Sequence, residues 1–207
     1  HSFVTTRAGK LVSPAQLFHP HNVVFQILFE EQPVRFPSEQ YCTPQWLDFL
    51  SRIGMNTHTA IGQIISAAEK IEERSKLYST YDQAVKLFNY VIEQAPVMNT
   101  KLARELLAEL KNIKFAPATW DPRVKAAQQD VLVHFSSVVM PKDAYVTWMI
   151  RPKLFPELRL IPQWVAKLGV PQDPQLQVVL EHLVAVSQAE HDYSADIEAV
   201  LTYLASE

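Results

Sequence analysis

The sequence predicts a mainly α protein, a helical bundle or irregular solenoid of about seven or eight helices with one small antiparallel β-hairpin. Apolar residues recur at helical spacing along most of the 207 residues, and 14 prolines divide these stretches into short segments. Residues that favour strands are concentrated in one region only, after Lys114. Successive amphipathic helices on short connections favour antiparallel packing against one another.

The N-terminal third begins with an extended arm and continues with two helices. Residues 1–18 mix Thr, Val and Phe with turn-forming residues, which predicts the arm. Asn22 is a suitable cap for a short helix. Thr43-Pro44 is a stronger start signal, because the Thr43 hydroxyl can cap free N–H groups. Proline suits the first helical position, where a backbone N–H would have no partner within the helix. This second helix is expected to end at Gly54 and to bury Trp46, Leu47, Phe49 and Leu50.

Three amphipathic helices are predicted in the middle of the chain. The first covers about residues 57–74, with Ile61, Ile64, Ile65, Ala68 and Ile71 on one face. Ser79 is the expected cap of the next, which ends before Pro96 and has the stripe Ala84, Leu87, Phe88 and Val91. Asn99-Thr100 opens the third, with Leu102, Leu106, Leu110 and Ile113 facing inward.

The pattern changes after Lys114. The segments 131–135 and 145–148 are rich in β-branched and aromatic residues and flank a Pro-Lys-Asp turn, which predicts the hairpin. Helices follow at about 161–168, closed by Gly169, then after Asp173-Pro174, and last around Ile197, Val200, Leu201 and Leu204. Two domain descriptions stay open: one unit over 1–207, or two lobes, 1–113 helical and 114–207 with the hairpin and helices.

Composition excludes several classes of function. The net charge is −3, whereas a nucleic-acid-binding domain usually has a strongly basic balance. A single cysteine excludes an internal disulfide and a Cys-rich zinc site. The four glycines are too widely spaced for a GxGxxG or GxxxxGK[ST] phosphate loop, and HExxH and GxSxG are absent. With no long apolar run and no signal peptide, we expect a soluble protein of a reducing compartment.

Candidate catalytic and metal residues are weak when taken singly. His19 and His21 alternate and could supply two metal nitrogens, but a structural zinc needs four ligands, so loop histidines are favoured. Cys42 precedes a helix start that could activate it, although a buried inert thiol is the better interpretation. Glu190-His191-Asp192 resembles an acid–base cluster, yet sequence neighbours do not face one another on a helix. We therefore expect no catalytic residue, cofactor or metal.

The C-terminal 40 residues are acidic. Residues 168–207 contain seven acids and neither lysine nor arginine, which leaves the rest of the chain at +4. One interpretation is an acidic face for a basic partner, with candidate partner-binding residues Glu190, Asp192, Asp196 and Glu198. The favoured alternative is a solvated outer face opposite the Leu and Val stripes, since runs of charge are usually exposed.

Several short segments, taken in order, resemble the sacsin family over about residues 10–206. The first group matches the family pattern "LF-x-P … FP … WL-x-x-L-x-x-x-G-[LM]" and comprises residues 17–20, 36–38 and 46–55. The later segments are 113–117 ("IKF-x-P"), 131–135 with 145–148 ("LV-x-F … LVW"), and 168–183 ("LGVP-x-x-P … V-x-x-HL"). Each segment is weakly specific, and the resemblance depends on their shared order.

The resemblance implies a role rather than a chemistry. Sacsin-type proteins are giant cytoplasmic chaperones or co-chaperones linked to intermediate-filament organisation, and their large repeats each begin with an Hsp90-like ATPase module. No ATP-site motif of that module has a counterpart here, so the chain resembles the helical region that follows it. We expect a non-enzymatic segment that spaces repeats and contacts clients or neighbouring modules of the same polypeptide, without nucleic acid or membrane insertion. The alternative is a free-standing helical adaptor that binds a peptide motif through the acidic C-terminal face.

Overall fold

The computed structural model describes residues 2–98, 100–124, 129–154, 162–189, 191 and 193–206. These residues form eight α-helices, short 3-10 turns and two small antiparallel sheets, so the prediction of a mainly α fold with few strands is confirmed. The chain divides into two compact units, His1–Lys70 and Ile71–Glu207, with the boundary inside a helix. The two lobes considered from the sequence were divided at 113/114, where the composition changes, whereas the two compact units are divided at 70/71.

The first unit opens with a β-hairpin where the sequence predicted only an extended arm. Strand β1 (Val4–Thr5) pairs antiparallel with β2 (Leu11–Val12). Helix α1 (Val23–Leu28) begins where predicted, because the Asn22 side chain accepts hydrogen bonds from the N–H groups of the next turn. A core cluster joins the hairpin to the second helix, α2 (Pro44–Arg52). The buried members of this cluster are Val4, Leu17, Leu47, Leu50 and Met55.

Helix α2 (Pro44–Arg52) confirms the predicted start and end signals. The Thr43 hydroxyl accepts from the Trp46 N–H, and proline occupies the first helical position. Two residues after the last helical residue, Gly54 adopts a φ of 111°, which a residue with a Cβ reaches only at a cost. The predicted burial was wrong for two residues: Leu47 and Leu50 are buried, whereas Trp46 and Phe49 are exposed.

Helix α3 (Ile61–Arg74) has the predicted apolar stripe, with Ile64, Ala68 and Ile71 buried and Ile61 and Ile65 partly buried. Helix α4 (Tyr81–Gln94) buries all four predicted stripe residues. Its cap is one residue later than predicted, since Thr80 rather than Ser79 precedes it, and the Thr80 hydroxyl donates to the Ile71 carbonyl instead of capping the helix.

Helix α5 (Thr100–Leu110) buries Leu106 and Leu110, as predicted, but leaves Leu102 exposed. Ile113, just beyond the helix, is buried as expected. Asn99, proposed with Thr100 as the start signal, lies outside the described residues.

The second sheet differs from the predicted hairpin. Strand β3 (Ala116–Thr119) is central, with β4 (Asp130–Val133) and β5 (Lys153–Leu154) antiparallel on either side. The predicted pairing of 131–135 with 145–148 was therefore wrong, because the latter segment begins inside a 3-10 turn, Pro141–Val146. Residues 116–117 are extended, as expected where proline disfavours a helical conformation of the residue before it. Pro117 is tolerated because it pairs with Leu132 at a position where β3 donates no hydrogen bond to β4.

The C-terminal helices are α6 (Pro162–Lys167), α7 (Leu176–Ser187) and α8 (Ser194–Ser206). The predicted first residue of α6, Ile161, lies outside the described residues. Asp173 does not cap α7, whose N-cap is Gln175; the Asp173 carboxylate instead lies 3.5 Å from the Lys142 Nζ. A core cluster in this region consists of Val179 of α7, Val200 of α8 and Val146. Among the helices of the described residues, none has the length and apolar character needed to cross a bilayer.

Candidate functional site

Helix α2 presents a stripe of exposed apolar side chains. Trp46, Phe49 and Ile53 recur three and four residues apart, so they lie on one side of the helix, and each is more than 40% exposed. Trp46 packs edge-on against Tyr41, with ring centroids 5.1 Å apart, and against Phe49 at 5.8 Å. These contacts hold the aromatic rings in fixed orientations at the surface of the first unit.

Helix α7 is apolar on two opposite sides. One side is buried and consists of Val178, Val179, His182 and Val186. The other side, which we call the α7 outer face, consists of Leu176, Leu180 and Val184, which are 63%, 41% and 52% exposed. The side of a surface helix opposite its core contacts is usually polar. The α7 outer face departs from this pattern, although the polar pair Gln177 and Glu181 borders it.

A charged cluster joins three segments of the second unit. The Arg123 guanidinium donates to Asp121 at 2.9 and 3.1 Å and to both oxygens of Asp196 at 3.2 and 3.3 Å. The same guanidinium lies over the Trp148 ring, 3.7 Å from its centroid. The Trp148 indole N–H donates to Asp196 at 3.0 Å. These bonds hold the loop after β3, the turn before β5 and helix α8 together.

The electrostatics of this cluster favour the ion pairs. The hydrogen bond from Arg123 is the main cause that lowers the pKa of Asp121, against an opposing effect of burial. The same hydrogen bond raises the pKa of Arg123, with a smaller contribution from Asp196. Because the donors of Arg123 are committed to carboxylates, the cluster ties elements together and offers no unoccupied guanidinium to a substrate.

His182 lies beneath this cluster and is fully buried. Its ring packs edge-on against Trp148, with centroids 5.4 Å apart, and neither ring nitrogen has a hydrogen-bond partner within the described part of the chain. Burial is the main cause that lowers its pKa; the charge of Arg123 acts in the same direction and that of Asp196 in the opposite one. His182 is therefore a packed core histidine rather than a residue of the helix surface.

The other histidine and cysteine candidates do not come together in one site within the described residues. His19 and His21 lie side by side, 5.8 Å between ring centroids, and the His19 Nδ1 accepts the His21 backbone N–H at 3.3 Å. Burial, followed by the charge of His21, lowers the pKa of His19. Cys42 is half-buried, with its Sγ 3.6 Å from the Ser38 carbonyl oxygen. Across the described residues, no three His, Cys, Asp or Glu side chains are placed to share a metal ion.

The four candidate acidic residues do not form one described surface. Glu190 and Asp192 lie outside the described residues. Asp196 is largely engaged by Arg123 and Trp148. Glu198 is exposed and lines an open cleft of about 440 Å³ together with Tyr145 and Tyr203. Of the described acidic pair, Glu198 is the residue more accessible to a partner.

No local pattern in the sequence predicts the Arg123 cluster. Asp196 is 73 residues from Arg123 and 48 from Trp148, so no local spacing connects them. The tryptophans differ in burial. Trp148 is buried, whereas Trp46 is exposed and Trp164 is only partly buried beside Lys167.

Comparison with protein-family models, with curated proteins and with solved structures finds no match for this chain.

Proposed function

We propose that the chain is a non-catalytic interaction segment of a cytoplasmic sacsin-type chaperone or co-chaperone. In this role it spaces the modules of a long polypeptide and contacts protein clients or neighbouring modules. The ordered set of sacsin-like segments supports the family, and the exposed apolar surfaces support the role.

The α7 outer face is the observation that carries the proposal. Leu176, Leu180 and Val184 expose apolar area on the side of α7 opposite its core contacts. Exposed apolar patches on folded proteins mark sites of interaction with other proteins or segments. Amphipathic helices commonly offer such a surface to a partner helix or to an unfolded segment.

Two polar arrangements support a role without catalysis. The Arg123 cluster resembles a binding site for an anion, but its guanidinium is already bound to Asp121 and Asp196. His182 has the chemistry of a general base, yet its ring is fully buried and has no exposed surface at which a substrate could meet it. A general base must come within hydrogen-bond reach of the proton that it removes.

An aggregation assay tests the proposal. The probe is reduced insulin, whose light scattering reports aggregation of an unfolding client. We expect the wild-type chain to suppress scattering and the double variant Leu180→Lys/Val184→Lys to lose most of this effect, because two charges on the α7 outer face oppose apolar contact.

The control is Ala108→Lys, which places one lysine at an exposed position of α5, and each single variant, Leu180→Lys and Val184→Lys, is compared with it. We expect the Ala108→Lys control to behave like the wild type. Equal suppression by the wild type and the double variant would contradict the assignment of client contact to the α7 outer face.

The second candidate function is a helical adaptor that binds a basic peptide motif. It is favoured by one observation, the position of Glu198 on the wall of a cleft of about 440 Å³. Glu198→Lys should then abolish binding of an arginine-rich peptide at low salt. Unchanged binding by this variant would exclude the adaptor.

A further inference from the structure

Strand β4 forms an edge of the three-stranded sheet, because the order β4-β3-β5 leaves one of its sides without a neighbouring strand among the residues that the structure describes. Trp120 donates its backbone N–H to the Gln129 carbonyl at 2.8 Å, which fixes the phase of the β3–β4 register. Hydrogen-bonded pairs alternate along antiparallel strands, so Val131 turns its backbone groups toward β3. Asp130 and Leu132 consequently turn theirs away from the sheet.

The outward backbone groups of Asp130 and Leu132 are unpaired: within the described ranges, no hydrogen bond reaches them from outside the sheet. Unpaired N–H and C=O groups on an edge are a template for a further strand, at a spacing of about 4.8 Å. Natural edges are often blocked by proline or lysine. Strand β4 has the sequence Asp-Val-Leu-Val and contains neither.

A cleft of about 410 Å³ lies along this edge. One wall is Asp130–Leu132, and the opposite wall is residues 75–81, the loop that precedes α4 and its first residue. Its volume lies within the range of about 300–1,000 Å³ that is common for ligand sites. Leu77 and Tyr78 on the loop are exposed and supply apolar contacts for the side chains of an entering segment.

The charge of the cleft selects among extended segments. Lys76 and Lys114 line it, both are exposed, and neither has an ion-pair partner in the described part of the chain. The Asp130 carboxylate, the acidic group of the lining, already accepts a hydrogen bond from the Thr119 hydroxyl at 3.1 Å. The positive excess favours an acidic occupant.

We propose that the β4 edge binds an extended acidic peptide segment as an additional strand. The outward N–H and C=O groups of Asp130 and Leu132 bond the peptide backbone, and the two lysines attract its carboxylates. The inference rests on the proposed function in that both make the chain a binding module. It uses a different set of residues from the α7 outer face, so the two can fail separately.

Fluorescent heptapeptides of alternating valine with glutamate (VEVEVEV) or lysine (VKVKVKV) test the inference. We expect the glutamate peptide to bind the full chain and the lysine peptide to bind more weakly. Leu132→Pro removes one outward N–H and should weaken binding about tenfold, the effect of losing one net hydrogen bond. Leu132→Ala is the matched control, because it removes the side chain but keeps the N–H. Lys76→Glu/Lys114→Glu should reverse the preference between the two peptides.

Amide hydrogen exchange of the wild-type chain supplies a second measurement that does not depend on how well Leu132→Pro folds. We expect the glutamate peptide to slow exchange at Asp130 and Leu132. Absence of binding, protection confined to other amides, or equal binding by a folded Leu132→Pro would overturn the inference. Loss of peptide binding with intact suppression of insulin aggregation would leave the proposed function standing, and the reverse result would leave the β4 site standing.

Discussion

Asp196 connects side chains that are distant in the sequence. Its carboxylate accepts hydrogen bonds from the Arg123 guanidinium and from the Trp148 indole, and the side chain is 22% exposed. A carboxylate that accepts several bonds in a partly buried site contributes more than an exposed ion pair. One interpretation of the sequence placed Asp196 on an acidic binding face, whereas its carboxylate is bonded to Arg123 and Trp148 of the same chain.

Replacing Asp196 tests this structural role. We expect Asp196→Asn to lower the free energy of unfolding by about 1–2 kcal/mol, because charge-assisted hydrogen bonds are lost while the shape is kept. Glu198→Gln, an exposed change on the same helix, should cost less than about 0.5 kcal/mol. Urea unfolding of the two variants provides the comparison, and equal stability would show that the cluster contributes nothing.

His182 should make stability depend on pH. Its pKa is lowered in the folded state, chiefly by burial, so the unfolded chain binds the proton more readily. Stability is then fully present above the unfolded pKa of about 6.5 and is lost as the pH falls through the lowered folded pKa. We expect His182→Leu to remove this part of the loss without a large cost at neutral pH, since neither ring nitrogen has a partner in the described chain.

Thermal unfolding of the wild type and His182→Leu between pH 7.5 and pH 5 measures the effect. His19 also has a lowered pKa, so only the difference between the two proteins reports on His182. Parallel pH profiles would contradict the role assigned to His182.

At the scale of elements, the apolar stripe of helix α3 contains both fully buried and partly buried side chains. Ile64 has no exposed surface, whereas Ile65 is only partly buried. We expect Ile64→Ala to cost about 2–5 kcal/mol, and Ile65→Ala about half of that or less, because a smaller area leaves water. Urea denaturation of both variants checks the order, and a larger loss for Ile65→Ala would mean that the helix is rotated from its described position.

Helix α7 makes a similar contrast between two adjacent residues. Val179→Lys places an unpaired charge in the core cluster and should prevent folding, whereas Leu180→Lys should change stability by less than about 0.5 kcal/mol. Circular dichroism during heating distinguishes these outcomes. A large loss of stability in Leu180→Lys would show that the α7 outer face is already covered by the chain itself.

The helices could be predicted from the sequence because their signals are local. Asn22 and Thr43 cap the helices they were expected to cap, and the stripe of α4 is buried in full. The sides of α2 and α7 could not be assigned in the same way, since both carry more apolar residues than one buried face needs. Only tertiary packing decides that Leu47 is buried and Trp46 exposed.

At the scale of the whole molecule, long-range pairing limited what the sequence could predict. Strand β4 has the composition of a strand, but nothing local shows that its partner is β3, which contains Pro117, rather than the 145–148 segment. The Arg123 cluster likewise joins residues far apart in the chain. The helical spacing of apolar residues correctly predicted a mainly α fold, and the role of the acidic C-terminal region remains a prediction about partners.

Photo-crosslinking from the α7 outer face tests the central claim most directly. A benzophenone amino acid is introduced at Leu180, and in a control at Ala108, and each full-length chain is illuminated with reduced insulin. We expect insulin to be captured from position 180 and only at background level from position 108. Equal capture from both positions, or capture from 108 alone, would contradict it.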